Sequence, residues 1–305
     1  MAHQIEVLSV SDPSAESVAD AAAAHIRGGA NRTFIARLRR NKVACGLLCA
    51  LVLLHLVVFI GPLFWRIPPD SADPLSTLSN FTASHPLGTD DLGRDELSRL
   101  LAGGQVTLTV GIVSMVFLIV IGVAVGAVAA FCGGWVDAVL MRLNDAMMAI
   151  PGFFFVLVAL TVLPKNALTV ALVIGGSSWM EVARVLYGET LRWKTREFVE
   201  AATAMGVPRW QILLRHVLPH TYPSIVVSAT LGIAYAILTE SAISYLGLGI
   251  QPPTPSWGYM LKDAQGYIWT NPILAILPGA GICLVVLIYN LLGDGLRDVL
   301  DPRTR

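Results

Sequence analysis

The fold is decided by residues 106–136, which read VTLTVGIVSMVFLIVIGVAVGAVAAFCGGWV and contain neither lysine nor arginine. A second stretch of the same kind covers residues 43–65. Each is longer than the roughly 20 apolar residues that a helix needs to cross a bilayer. Both stretches therefore predict membrane-spanning helices, and the chain is expected to be an integral membrane protein.

The composition of the whole chain agrees with this prediction. Of its 305 residues, 55% are hydrophobic and only 14% are charged, whereas soluble domains average about 45–50% apolar and about 25% charged residues. Basic and acidic residues number 21 each, so the net charge is zero, and nucleic-acid binding is not expected. The four cysteines are too few and too scattered for a disulfide framework, and they offer no zinc-site spacing.

Hydropathy predicts six transmembrane helices, near residues 43–64, 104–131, 143–163, 168–186, 221–247 and 272–292. With the N-terminus inside, the segments on that side hold most of the basic residues: six in the N-terminal tail, one in the second loop, six in the fourth loop and three in the C-terminal tail. The remaining five lie outside. The positive-inside rule therefore predicts that both termini are cytoplasmic.

This topology divides the chain into four segments. Residues 1–42 form a cytoplasmic tail, and residues 43–103 hold the first helix with an extracytoplasmic loop. Residues 104–292 form the transmembrane core, which includes a cytoplasmic loop over 187–219. Residues 293–305 form a second cytoplasmic tail.

Small residues recur every four positions in the second predicted helix, at Gly122, Gly126 and Ala130. Such a stripe lets a neighbouring backbone approach closely, which matters in lipid because apolar side chains gain nothing from leaving it. Packing within the chain is favoured over a dedicated dimer interface.

The chain carries no motif for hydrolysing ATP by itself. No stretch fits GxxxxGK[ST], and none of the four lysines follows a glycine. A transporter would therefore couple to an ion gradient or take energy from another subunit. Ionisable residues inside spans mark ion pathways by default, and the candidates are His55, for which a packing role is favoured, and Glu240. Glu240 belongs either to a translocation path or to a hydrogen bond or ion pair between helices.

The most informative loop is residues 195–219, TREFVEAATAMGVPRWQILLRHVLP. Acidic residues in its first half suit the positive end of a helix dipole. Gly206 can take the positive φ that ends a helix, and Pro208 suits the first turn of the next one. Pro219 is expected to end that second helix. The pattern predicts two short helices joined by a sharp elbow, a shape that fits a cleft on a cytoplasmic partner.

This loop resembles the EAA loop of ABC-importer permeases. Glu-Ala-Ala begins at residue 200, Gly206 follows after three residues, and Leu-Pro follows after eleven more. In that family the loop is the coupling helix that docks on the ATPase subunit. The residues that the resemblance assigns to this contact are Glu200, Ala201, Ala202, Gly206, Leu218 and Pro219.

Other motifs resemble the dipeptide, oligopeptide and nickel branch of these permeases, specifically its second permease subunit. They are HPLGTDDLGRD from His85, ESAISYLGLGIQPP from Glu240, SWG from Ser256 and GDGLRDVLDP from Gly293. The likeness runs from about residue 32 to residue 305. Gln105 departs from the branch, which often has arginine there.

Two smaller interpretations accompany these motifs. Arg142 and Asp145, at the cytoplasmic end of the third span, are spaced to form an ion pair, with a membrane-anchoring role for the arginine as the alternative. The proline-containing stretch 251–257 is expected to form an outer rim where a delivery protein could dock, with a plain loop as the alternative.

The resemblance implies an all-α integral membrane protein with the six-helix architecture of type I ABC-importer permeases, which is not an enzyme. It implies a second homologous permease, two ATP-binding cassette ATPases and an extracytoplasmic solute-binding protein, assembled in the bacterial cytoplasmic (inner) membrane. ATP and magnesium would bind to the ATPases, and this chain would hold no cofactor or metal. Peptides are the first expected substrate, with nickel, glutathione or another small solute as alternatives. A gradient-driven carrier or channel, and a scaffold without transport activity, are rival classes.

Overall fold

A computed structural model describes residues 41–300 of the chain. Apart from one isolated bridge between Thr89 and Asp95, regular structure within these residues is helical. The expected all-α architecture is confirmed. The tail predicted for residues 1–42 lies outside the described residues except for its last two positions.

The helices, in chain order, are α1 (Lys42–Phe64), α2 (Glu96–Cys132), α3 (Gly134–Met148), α4 (Gly152–Val162), α5 (Ala167–Ser177), α6 (Trp179–Lys194), α7 (Glu197–Ala204), α8 (Arg209–Ile212), α9 (Leu218–Tyr245), α10 (Trp257–Ala264) and α11 (Ile273–Leu300). A π-helical segment, Leu213–Val217, joins α8 to α9 without a break.

Within residues 41–300, four helices are long and apolar enough to cross a membrane: α1, α2, the continuous helix Arg209–Tyr245, and α11. The predicted six are reached if α3 with α4, and α5 with α6, each count as one span. These pairs are bent by 81° and 41°. The first break falls at Pro151, because a proline lacks the N–H of the helix ladder and disfavours helical geometry in the residue before it. The second falls at Ser178.

The centre of the bundle is α2, which packs against α5, α6 and α9. A Cβ added at Gly122 would lie 2.7 Å from the Cβ of Val182, and one added at Gly126 would run into the carbonyl oxygen of Ala183. Because both residues lack a side chain, α2 and α6 can approach to backbone contact. The interpretation of this stripe as packing within the chain is confirmed.

In contrast, α1 lies at the edge of the bundle. Of the most apolar 18-residue stretch in each helix, 11% is buried in α1 and 33% is buried in α2. His55 joins α1 to α11. Its Nδ1 donates to the carbonyl oxygen of Leu51 at 2.9 Å, and the hydroxyl of Tyr289 donates to its Nε2 at 3.3 Å. The packing role expected for His55 is confirmed.

The expectation that Pro219 ends a helix is wrong, because Pro219 lies in the first turn of α9. In the preceding π segment the N–H of Leu218 donates to the carbonyl oxygen of Leu213, five residues earlier. In a regular α-helix a proline ring clashes with the carbonyl four residues earlier, and the wider π turn relieves that clash. Similarly, α11 continues to Leu300, eight residues beyond the predicted end of the sixth span at residue 292.

Candidate functional site

The loop between spans four and five forms the predicted elbow. Helix α7 is followed by Gly206, whose φ is +79°, and then by the short helix α8. A Cβ added at Gly206 would meet no atom within 4 Å. The glycine is therefore required by the left-handed backbone and not by lack of space.

The residues assigned to the ATPase contact divide into exposed and covered positions. Glu200, Ala201, Gly206 and Pro219 are exposed, and Leu218 is half-buried. Ala202 is only 2% exposed. It packs within a small apolar cluster whose buried members also include Phe131, Val199, Ile212 and Val217. Ala202 therefore fixes α7 to the bundle, while its exposed neighbours are free to meet a partner.

Aromatic contacts connect the elbow to the two spans beside it. Trp193, at the end of α6, stacks on His220, at the start of α9, with ring centroids 4.5 Å apart. Phe198 of α7 lies 5.2 Å from the same imidazole. His216 lies one turn before His220, and within residues 41–300 no group of three or more metal-ligating side chains gathers.

Large apolar side chains lie exposed around the elbow. They are Met205, Trp210 and Leu214, and we call them the elbow apolar surface. Trp210 is 63% exposed although it is the bulkiest of the three. Exposed apolar surface of this kind marks contact with a protein or with lipid. Sequence reasoning missed these residues because it concentrated on the small residues of the motif.

A partly open cavity of about 420 Å³ lies between the two broken spans and α9. It is lined by Leu118, Met148, Ile150, Pro151, Gly152, Ser177, Ser178, Met180, Glu181, Val182, Val185, Ser228, Leu231, Gly232 and Tyr235. Both helix breaks therefore open onto it. Irregular backbone at membrane depth is tolerated where it lines such a cavity.

The polar lining of the cavity consists of three serines, Tyr235 and Glu181. A Cβ added at Gly152 would lie 3.6 Å from the Tyr235 hydroxyl and 3.8 Å from the Ser177 carbonyl oxygen, so α4, α5 and α9 meet here. Sequence reasoning missed Glu181. The available signal was a single acid inside the fourth predicted span, three residues after Ser178.

Glu240 is fully buried and does not line this cavity. Ser244 donates to its Oε1 at 2.7 Å, and Thr107 donates to its Oε2 at 3.2 Å. The Ser244 hydroxyl in turn accepts a hydrogen bond from the backbone N–H of Ile250, and the Thr107 hydroxyl accepts one from the backbone N–H of Trp257, each at 3.2 Å. Glu240 thus joins α9 to α2 and positions both ends of the loop that follows α9.

Only part of the expected outer rim is exposed. Pro252, Pro253 and Thr254 face outward, but Trp257 is 3% exposed and its Nε1 donates to the carbonyl oxygen of Leu100 at 2.8 Å. The second half of the rim is therefore a packing element.

The expected pair between Arg142 and Asp145 is replaced by another ion pair, because Asp145 pairs with Arg184 of α6 at 2.5 Å.

The motif from His85 folds as a cap over the outer end of α2. Asp95 is the N-cap of α2, and its carboxylate accepts hydrogen bonds from Trp65 at 2.7 Å, His85 at 2.9 Å and Ser98 at 2.8 Å. Burial alone would raise the pKa of Asp95, but these hydrogen bonds outweigh it and hold the pKa below its usual 3.8. The cap therefore favours the charged carboxylate.

A second set of charges ties this cap to α10. Asp90 accepts from Arg94 at 2.6 Å and pairs with Arg99 at 3.2 Å, and both arginines reach Asp263. Burial raises the pKa of Asp263, in opposition to the two arginines. The HPLGTDDLGRD motif is thus a structural connection between the first outer loop, α2 and α10.

Residues 41–300 thus form a bundle of apolar spans in which two broken spans open onto one cavity and an exposed elbow joins the fourth span to the fifth, an architecture that fits a membrane transport subunit. Residues 118–305 match the family described as binding-protein-dependent transport system inner membrane component, and the chain belongs to that family. It is accordingly the permease subunit of an ABC importer, an inner-membrane protein and not an enzyme, since the ATPase is a separate subunit.

Relatives with known names agree with this assignment. The chain is 37% identical over 271 residues to the oligopeptide transport system permease protein OppC of Haemophilus influenzae, covering 88% of this chain and 87% of the relative. It is 40% identical over 224 residues to the glutathione transport system permease protein GsiD of Pectobacterium atrosepticum, covering 73% and 74%. It is 33% identical over 269 residues to the dipeptide transport system permease protein DppC of Alkalihalophilus pseudofirmus, covering 88% of each chain.

Among solved structures, the fold is similar to that of the inward-facing MetNI methionine ABC transporter. The TM-score is 0.54 with 21% identity, over 66% of this chain and 96% of that chain. This likeness concerns the fold, and it agrees with the type I permease architecture expected from the sequence.

Proposed function

We propose that this permease subunit carries small peptides inward by alternating access. The relatives are named for the transport of oligopeptides, dipeptides and glutathione, all of which are peptides or peptide-like. The cavity supports the proposal, because its apolar walls with a few polar groups suit solutes that present both kinds of surface.

The partners that we propose are a second, homologous permease, two ATP-binding cassette ATPases and an extracytoplasmic solute-binding protein. ATP and magnesium would bind to the ATPases, as this chain carries no phosphate-binding loop. The elbow, with Glu200, Ala201 and Gly206 exposed, would dock on an ATPase. Both termini and the elbow then lie in the cytoplasm, as the distribution of basic residues predicts.

One observation carries the coupling mechanism: the helices that flank the elbow are the helices that line the cavity. Helix α6 contributes Glu181 and Val182 to the cavity and ends beside the elbow at Trp193. Helix α9 begins beside the elbow at His220 and contributes Ser228 and Tyr235. A push on α7 during ATPase closure therefore moves two walls of the cavity, and hydrolysis allows them to return.

Substitution of Gly206 tests this mechanism. Gly206→Leu places a Cβ on a residue with positive φ, a backbone conformation that costs a non-glycine residue about 1–2 kcal/mol. The added Cβ meets no neighbouring atom, so the strain is relieved by a shift of the elbow backbone. We expect ATPase activity to continue while transport per ATP falls about tenfold, the equivalent of about 1.4 kcal/mol. Gly188→Leu on α6 is the matched control, because Gly188 has equal space and ordinary φ. Normal transport by the Gly206 variant would refute the coupling assignment.

Co-purification tests the proposed assembly. The chain, tagged at native level and gently extracted, should bring down two ATPases and a second permease, which mass spectrometry would identify. The assembly proposal would be overturned by a stable lone chain that moves solute without nucleotide. That result would favour a gradient-driven carrier.

A further inference from the structure

The transport cavity contains one charged group. Among its lining residues, Glu181 alone has an ionisable carboxylate, and no lysine, arginine or histidine is present. Within residues 41–300 no hydrogen bond or ion pair engages this carboxylate. Glu181 is exposed to the cavity and not enclosed by side chains. A single acid without a partner is unusual in an apolar span, where ionisable residues generally pair or mark a pathway.

Basic residues elsewhere on α6 are engaged with other groups. Arg184 pairs with Asp145 at 2.5 Å. Arg192 pairs with Glu189 at 3.7 Å, and the Nζ of Lys194 donates to the carbonyl oxygen of Ala130 at 3.1 Å. The helix that bears Glu181 therefore offers it no free cation.

The helix ends at the cavity do not supply the missing positive charge. Helices α3 and α5 end at Met148 and Ser177, where the dipole is negative. Helices α4 and α6 begin at Gly152 and Trp179, where it is positive. Each break thus brings one negative and one positive end together, and the two nearly cancel. The net charge of the cavity is set by Glu181.

We propose that Glu181 is a specificity-determining residue that receives the cationic ammonium group of a substrate during its passage. The ligand chemistry is a primary ammonium, such as the amino terminus of a peptide. The apolar walls around it lower the local dielectric constant and strengthen its attraction for a cation. This inference rests on the proposed function, because it assigns one contact within the same transport path.

The charge of the cavity can be measured without knowing the substrate. The four native cysteines, Cys45, Cys49, Cys132 and Cys283, are first replaced by serine in the full chain within its assembled complex. Ser228→Cys then places a reporter thiol in the cavity wall. Its rates of modification are compared for two methanethiosulfonates of similar size, one carrying a trimethylammonium group and the other a sulfonate.

We expect Glu181→Gln to lower the ratio of cationic to anionic modification rates about tenfold, because it removes one unit charge from the cavity that the reporter thiol lines. Glu189→Gln is the matched control, since it removes an acid on the same helix outside the cavity and should leave the ratio unchanged. An equal ratio in the Glu181 variant and its parent would overturn the proposal.

A protection experiment tests the ammonium contact itself. Trialanine with a free amino terminus should slow modification of the Ser228→Cys thiol more than N-acetyltrialanine does, and Glu181→Gln should abolish the difference. Equal protection by the two peptides, or protection by neither, would refute the ammonium assignment. If Glu181 governs the ratio but the complex shows no ATP-dependent peptide uptake, the proposed function fails while the charge of the cavity stands.

Discussion

Arg184 of α6 donates to Asp145 of α3 at 2.5 Å, so the guanidinium one helical turn after Glu181 is committed to another helix. The two side chains are 53% and 52% exposed, and a pair this exposed adds little to stability. The pair matters instead for the charge of the cavity. It keeps Arg184 from pairing with Glu181, which lies three residues earlier on the same helix.

The first prediction concerns this pair. Asp145→Ala should release Arg184 to approach Glu181 and neutralise it, so the cavity should lose much of its preference for the cationic reagent. The reporter thiol at Ser228→Cys measures the effect, and thermal stability should change by less than about 1 kcal/mol. Asp145→Glu preserves the partner and serves as the control. A preference that stays unchanged in the alanine variant would contradict the prediction.

The second prediction concerns the elbow apolar surface. Trp210→Ser should weaken docking of the ATPase at least about tenfold, because exposed tryptophans at interfaces commonly contribute about 2 kcal/mol or more. The measurement is the amount of ATPase retained on the tagged chain. Trp269→Ser, which alters a tryptophan 95% exposed in the segment before α11, is the control. Equal retention by both variants would show that Trp210 lies outside the interface.

The third prediction concerns the approach of α2 to α6. Gly126→Ala should destabilise the bundle by about 1–3 kcal/mol, because the new methyl group meets the Ala183 carbonyl and the helices must separate. Thermal unfolding of the purified protein measures the loss. Gly176→Ala in α5 has open space and should be neutral or slightly stabilising. The packing argument fails if the two variants unfold alike.

The fourth prediction concerns Glu240. Glu240→Gln keeps an oxygen for one of the hydroxyl donors and should retain transport, whereas Glu240→Ala leaves Ser244 and Thr107 without their acceptor. The alanine variant should lose about 2–5 kcal/mol of stability and fold poorly. Uptake and the yield of folded protein distinguish the two variants. Loss of transport by well-folded Glu240→Gln would instead favour a gradient-driven carrier.

The fifth prediction concerns pH at the outer face. The pKa of Asp95 is lower in the folded chain than its usual 3.8, so the carboxylate contributes stability above that pH. The contribution is lost as the pH falls through the folded-state pKa. Asp95→Asn cannot titrate, so the melting temperature of the parent should fall more than that of the variant between pH 6 and pH 3. Parallel decreases would contradict the assignment.

Several features were predictable because they depend on local chemistry. Runs without charge predicted the spans, and the positive φ of Gly206 followed from its place after a helix-forming segment. The small-residue stripe also predicted where α2 packs. These signals reside in the residues themselves, so neighbouring elements do not change them.

The remaining features depend on residues far apart in the chain. The burial of Ala202 follows from its contact with a cluster that includes Phe131, and the role of Glu240 depends on Thr107. Pro219 was misinterpreted because a helix can admit proline by widening one turn. Glu181 became noticeable only when two helix breaks were found to open onto the same cavity.

The π segment Leu213–Val217 changes how the fifth span is phased. Each residue of an α-helix advances about 100° around the axis, so the extra residue in a π turn rotates everything after it by about that angle. Regular α geometry over the same residues would turn Ser228 and Tyr235 away from the cavity, and it would also restore the clash between the Pro219 ring and the carbonyl four residues earlier. The turn that admits Pro219 into the fifth span therefore also determines which side chains of α9 line the cavity.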